Sequence, residues 1–131
     1  MVIADTSIWI NAQRQPTSVE SREFWRLYDG REIAMVGPVL AELLHGLRTQ
    51  QEFDAMVGQF AALDYLEINR RTWTVVGSIR RELRRRGALI GFADCVTSAL
   101  AIQHDCAVFT LDGDFHRIPG LRLYGRPAAP D

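Results

Sequence analysis

Four short apolar runs constrain this chain most: Val2-Ile3-Ala4, Ile33-Ala34-Met35-Val36, Tyr65-Leu66-Glu67-Ile68 and Ala107-Val108-Phe109. Each is too short for a helix and too uniformly apolar for a strand with one wet face, so each reads as a buried strand. The segments between them carry helical periodicity, with helices expected from residue 8 and over 18–29, 39–48, 51–63, 70–86 and 95–104. Strands alternating with helices predict a mainly parallel sheet covered on both faces. Leu121-Arg122-Leu123-Tyr124 adds a last strand. The fold class is therefore α/β, a three-layer α/β/α sandwich with a roughly five-stranded sheet. Right-handed crossovers put the strand C-termini along one edge, where open α/β sheets place their ligands.

Acidic residues fall at that edge. Thr110-Leu111-Asp112-Gly113-Asp114-Phe115 follows the Ala107-Val108-Phe109 run, and Gly113 lets the backbone turn so that Asp112 and Asp114 share one space. Two anions about 4 Å apart repel by roughly 1 kcal/mol in water and about 4 in a partly buried setting. A cation, a proton or open solvent must relieve them, so the turn is either an ordinary surface loop or half of a metal site. Asp5, after the first strand, is either the N-cap of the next helix or a ligand at the sheet edge. Glu42 lies beside the stripe Val39, Leu40, Leu43, Leu44 and Leu47, and Gly46 one turn on suggests that something needs room there. His45 on the same helix points further from the stripe, towards the surface. Asp94 begins a helix with small neighbours at Thr97, Ser98 and Ala101, so another element can pack close and set it in a crevice.

Composition narrows the class of partner. The 131 residues suffice for one core, and residues 1–126 are expected as one domain with a C-terminal tail at 127–131. The net charge of −1 argues against a general polyanion binder but leaves room for local patches. All 15 basic residues are Arg, each a planar fork suited to carboxylate or phosphate. Five of them, Arg80, Arg81, Arg84, Arg85 and Arg86, end the fifth helix, either as a solvated last turn or as a contact for nucleic acid or a partner. Cys95 and Cys106 sit in apolar surroundings and read as buried thiols. With no apolar leader core and no membrane-length run, the expected location is the cytoplasm.

Taken together, Val2-Ile3-Ala4-Asp5-Thr6-Ser7, Glu42 in Pro38-Val39-Leu40-Ala41-Glu42-Leu43, Asp94 in Gly91-Phe92-Ala93-Asp94, and Thr110 to Phe115 resemble the PIN-domain nucleases. Within them the likeness is to the small VapC-type toxins of toxin–antitoxin pairs, and it spans nearly the whole chain. The resemblance implies a Mg²⁺- or Mn²⁺-dependent endoribonuclease. By match to the motifs, Asp5, Glu42, Asp94 and Asp112 form the catalytic core. Asp5, Asp94, Asp112 and Asp114 bind metal, while Thr6, Ser7 and Thr110 orient carboxylates or water. It also implies a homodimer, a cognate antitoxin partner and an RNA substrate, with Arg80, Arg81, Arg84 and Arg85 as candidate RNA contacts.

The residue types are consistent with that chemistry. Carboxylate oxygens suit Mg²⁺, and none of the acids is a strong nucleophile, which favours attack by water on a phosphodiester. Other readings are an Asp-dependent phosphotransfer enzyme and a PIN-like module that binds RNA or a partner without cutting. The first commonly has a second Asp two residues after the nucleophile, where this chain has Ser7; a receiver-like module would want a lysine, and there is none. Retention of all the carboxylates argues against the second.

Overall fold

The computed structural model describes residues 1–125; the expected tail at 127–131 lies outside them. The elements run β1 (Val2–Ala4), α1 (Thr6–Arg14), α2 (Val19–Asp29), β2 (Ile33–Val36), α3 (Gly37–His45), α4 (Gln50–Phe60), β3 (Asp64–Leu66), α5 (Arg70–Arg85), α6 (Phe92–Gln103) and β4 (Ala107–Phe109), then a 3₁₀ turn at Gly113–Arg117. The strands form a parallel sheet in the order β3-β2-β1-β4. Every residue of β1, β2 and β4 is buried, as a strand covered on both faces requires. This is a three-layer α/β/α fold, with α1 packed on α2, α5 on α6, and α3 against α6. Among the described residues no helix is long and apolar enough to cross a membrane.

The expected fifth strand is reduced to one parallel bridge, Val108 to Leu123. Gly120 and Gly125 take φ of +79° and +77° on either side, so the chain approaches and leaves β4 within a few residues. Val108 N–H donates to Arg122 O and Tyr124 N–H to Val108 O, which caps the edge of β4 without extending a strand. The third strand also lies earlier than expected, at Asp64–Leu66, because an edge strand is held by backbone pairing with β2 and its side chains stay largely exposed.

Helix α3 ends at His45, which is exposed, and Gly46 is its C-cap with no crowding side chain nearby. The room expected beside Glu42 is thus a helix stop. α6 starts at Phe92, before the expected residue 95, and Cys95 to Ala101 are buried all round. Thr97, Ser98 and Ala101 are buried in a helix that α5, α3 and β4 all pack against, the close approach that small side chains permit. α5 is opened by a capping box, with Asn69 accepting from Thr72 N–H and Thr72 Oγ1 accepting from Asn69 N–H. Its buried stripe is Thr72, Val76, Ile79 and Leu83, and Trp73 and Arg80 lie exposed beside it. Both cysteines are free and buried.

Candidate active site

The helices that follow β1 and β2 begin at the C-terminal edge of the sheet, and this places their first residues round one small pocket. Its volume is about 110 Å³, and Asp5, Thr6, Ser7, Glu42, Asp94 and Asp112 are among its lining residues. Acids far apart in sequence are therefore neighbours in space.

Asp5 occupies the N-cap position of α1, yet its side chain makes no capping hydrogen bond. Its Oδ1 accepts from Ser7 Oγ at 2.5 Å and its Oδ2 from Thr110 Oγ1 at 2.8 Å. It is only 6% exposed, and burial raises its pKa above the ordinary carboxylate value against the lowering effect of those hydroxyls. Thr110 Oγ1 also accepts from Asp112 N–H at 2.8 Å, and Ser7 Oγ from Leu111 N–H at 3.0 Å, so β1 and the turn after β4 are tied together through Asp5. Glu42 projects from α3 and accepts from Thr6 Oγ1 at 2.6 Å.

Asp94 lies in the first turn of α6. One oxygen each from Asp94, Asp112 and Asp114 lie within 4.8 Å of one another. Burial, followed by the charges of Asp112, Asp5, Glu42 and Asp114, pushes the Asp94 carboxyl up to about 6. Asp112 Oδ1 accepts from Asp114 N–H at 2.9 Å, which fixes the turn through Gly113. Asp114 has a cation of its own, Arg117 at 3.1 Å.

The sequence expectation omitted Arg117; its i+3 spacing from Asp114 in a short helical turn was the available signal. Thr97, noticed only as small, lines the pocket and is 2% exposed. The arginines of α5 divide. Arg80 donates to Ile90 O at 3.3 Å, Arg81 and Arg84 line a separate groove, and Arg85 and Arg86 both pair with Glu82.

The PIN domain model matches residues 2–121. The chain belongs to the PIN domain family. PIN domains are generally nucleases. This PIN domain superposes on the VapBC2 structure from Rickettsia felis, bound to a DNA fragment from its promoter, with a TM-score of 0.77 and 25% identity over 94% of this chain and 97% of that one. The VapBC-1 structure from nontypeable Haemophilus influenzae gives a TM-score of 0.78 at 21% identity, over 94% and 96% of the two chains. VapC20 from Mycobacterium tuberculosis, a toxin that cleaves the sarcin–ricin loop, aligns over 93% of this chain and 99% of its own at 16% identity and a TM-score of 0.57. The fold is thus that of a VapC-type PIN domain. No curated protein matches this chain by sequence.

The donor set suits a hard divalent cation. It offers carboxylate oxygens only, close enough to share one ion, and burial together with four neighbouring acids raises the proton affinity of Asp94.

Proposed function

We propose that this PIN domain is a Mg²⁺- or Mn²⁺-dependent endoribonuclease acting as the toxin of a toxin–antitoxin pair. The observation that carries the reading is the convergence of Asp94, Asp112 and Asp114 within 4.8 Å beside Asp5 and Glu42. Asp94, Asp112, Asp114 and Asp5 hold the cation. When bound, the ion supplies positive charge for the phosphodiester and lowers the pKa of a water.

The chain's own residues do the rest. Asp5 has one hydroxyl on each oxygen, from Ser7 and Thr110, so its carboxyl is held in a fixed orientation and is poorly free to attack phosphorus. That disfavours the phosphotransfer reading. Glu42 has Oε2 held by Thr6, which leaves Oε1 to accept the proton of an attacking water. Ser7 and Thr110 keep the turn after β4 in register with β1, and so keep Asp112 facing Asp94. Arg117 neutralises Asp114 and limits repulsion within the set.

The VapBC neighbours support a cognate antitoxin as partner; a homodimer as the working unit and the cytoplasm as the location follow from the family resemblance alone. VapC20 supports structured RNA as the substrate class, cut where a loop exposes bases. The test is cleavage of end-labelled total RNA with Mg²⁺ or Mn²⁺, with chelator, and with Asp5→Asn. Cleavage lost with chelator and with the folded variant is the expected result. Stable RNA binding with no cleavage in either metal would instead mark a binding module. Co-expression with the adjacent small reading frame is expected to relieve toxicity.

A further inference from the structure

Outside the acidic pocket, the largest departure from a buried α5 stripe is a ladder of exposed rings. Trp73 on α5 and Phe92 at the start of α6 are stacked, 6.2 Å between centroids and 13° between planes. The Arg80 guanidinium carbon lies 5.4 Å from the Phe92 centroid. Two anchors hold Arg80 there, Ile90 O at 3.3 Å and Cys95 Sγ at 3.8 Å. Trp73 is nevertheless 47% exposed and Phe92 56%. A folded chain normally hides such rings when nothing else is to cover them.

Next to the ladder is a groove of about 590 Å³ between α5 and the 87–90 loop, with Arg80, Arg81, Arg84 and Leu89 on its walls. No acidic residue lines it, because Glu82, the acid of that turn, is engaged by Arg85 and Arg86. Leu89 is 89% exposed, and its carbonyl accepts from Arg117, the residue paired with Asp114. Phe92 is two residues before Asp94. Arg117 thus bridges the groove, at Leu89, and the acidic cluster, at Asp114, and the ladder's Phe92 lies beside Asp94 in the first turn of α6.

We propose that Trp73, Phe92 and Arg80, with the groove of Arg81 and Arg84, are a base-stacking subsite for single-stranded RNA. Stacking on aromatic and guanidinium planes tolerates any base, while the arginine forks take the flanking phosphates. A strand laid along this surface meets positive charge and flat rings first, and the acids at one end. The arrangement suits unpaired nucleotides, since a duplex keeps its base faces stacked inside. The identity of the ligand as RNA rests on the nuclease reading; the base-dependence of binding does not.

The probes are fluorescein-labelled U12 and a 12-unit abasic ribose-phosphate strand of the same charge, titrated by anisotropy in chelator with the full chain. Wild type is expected to bind U12 about tenfold more tightly than the abasic strand, the size of about one stacked base. Trp73→Leu and Phe92→Leu each remove most of that difference and leave the abasic strand unchanged, and Phe92→Tyr restores it. Arg84→Gln weakens both strands alike and lowers the salt dependence. Equal binding of the two strands by wild type overturns the proposal. So does loss of affinity for both strands in the folded leucine variants. If those variants turn a dimer into a monomer in sedimentation while the U12 preference persists, the rings join copies of the chain and the proposal fails. If Phe92→Leu does not fold, Trp73→Leu decides alone, being exposed in the first turn of α5. Base-dependent binding without cleavage in metal would sink the nuclease reading and keep this one; cleavage with base-independent binding would do the reverse.

Discussion

Two carboxylates of this chain illustrate opposite solutions to the same problem. Glu23, on α2, accepts from Arg26 and Tyr124, and those bonds hold its pKa down at about 2. Asp94, on α6, is partly buried and surrounded by Asp112, Asp5, Glu42 and Asp114, and that burial, then those charges, push it up to about 6. The charge of Glu23 is satisfied by its own chain, and it ties the segment after β4 back onto α2. The charge of Asp94 is left for something the chain does not contain. An acid with internal partners reads as structure, and an acid kept among like charges reads as a site.

The largest effect that could break this contrast is in activity. Asp94→Asn is expected to lower metal-dependent RNA cleavage at least ~1,000-fold, a loss of several kcal/mol of charge stabilisation. Its unfolding temperature stays the same or rises, since the substitution removes repulsion. A variant that cuts RNA normally would end the comparison.

The second effect is on cation binding. A proton competes for Asp94 below about pH 6, so Mn²⁺ affinity measured by calorimetry should fall about tenfold for each pH unit below that point through this group alone. Affinity flat between pH 7 and 5 would mean that Asp94 is not a ligand.

Stability without cation should move the other way. The folded pKa of Asp94 lies above its ordinary value of 3.8, so its stabilising effect is complete below pH 3.8 and is lost as pH rises through about 6. Asp94 is partly open to solvent, and after screening the effect is about 1 kcal/mol. Chelated protein should therefore melt about a degree higher at pH 5.5 than at 7.5, and Asp94→Asn should abolish that contribution.

Thr6→Val removes the hydroxyl that holds Glu42 Oε2 and is expected to reduce kcat about tenfold, less than the ~100-fold or more that a general base supplies because Glu42 itself remains, with KM little changed. Glu23→Gln should have the smallest consequence. It loosens the contact with Arg26 and Tyr124, lowers the melting point by a few degrees at most, and leaves cleavage intact. Because the folded pKa of Glu23 lies below its ordinary 4.5, its contribution is present above that pH and is lost as pH falls through about 2.

Much of the fold was legible because burial has a period. The apolar runs at Val2 to Ala4, Ile33 to Val36 and Ala107 to Phe109 became the three strands buried along their whole length. Legibility fell where backbone geometry decides: Leu121 to Tyr124 looks like a strand, but its two flanking glycines leave one bridge. Trp73 and Arg80 lie exposed beside the α5 stripe and meet α6 at Phe92 and Cys95, contacts that only the packed helices reveal.

The candidate site divides in the same way. The local sequence fixed that Asp112 and Asp114 turn together about Gly113, since covalent reach alone brings them near each other. It could not fix whether Asp5 caps α1 or faces Asp112, because both conformations satisfy local rules. Thr110, 105 residues away in sequence, settled that by taking Asp5 Oδ2. Nor could it supply the elevated proton affinity of Asp94, which comes from burial and from charges that only the folded sheet edge assembles. Chain order chose the residue types and their positions along each element. Tertiary structure chose which of them would share a pocket, because electrostatic energy depends on distance in space and not along the chain.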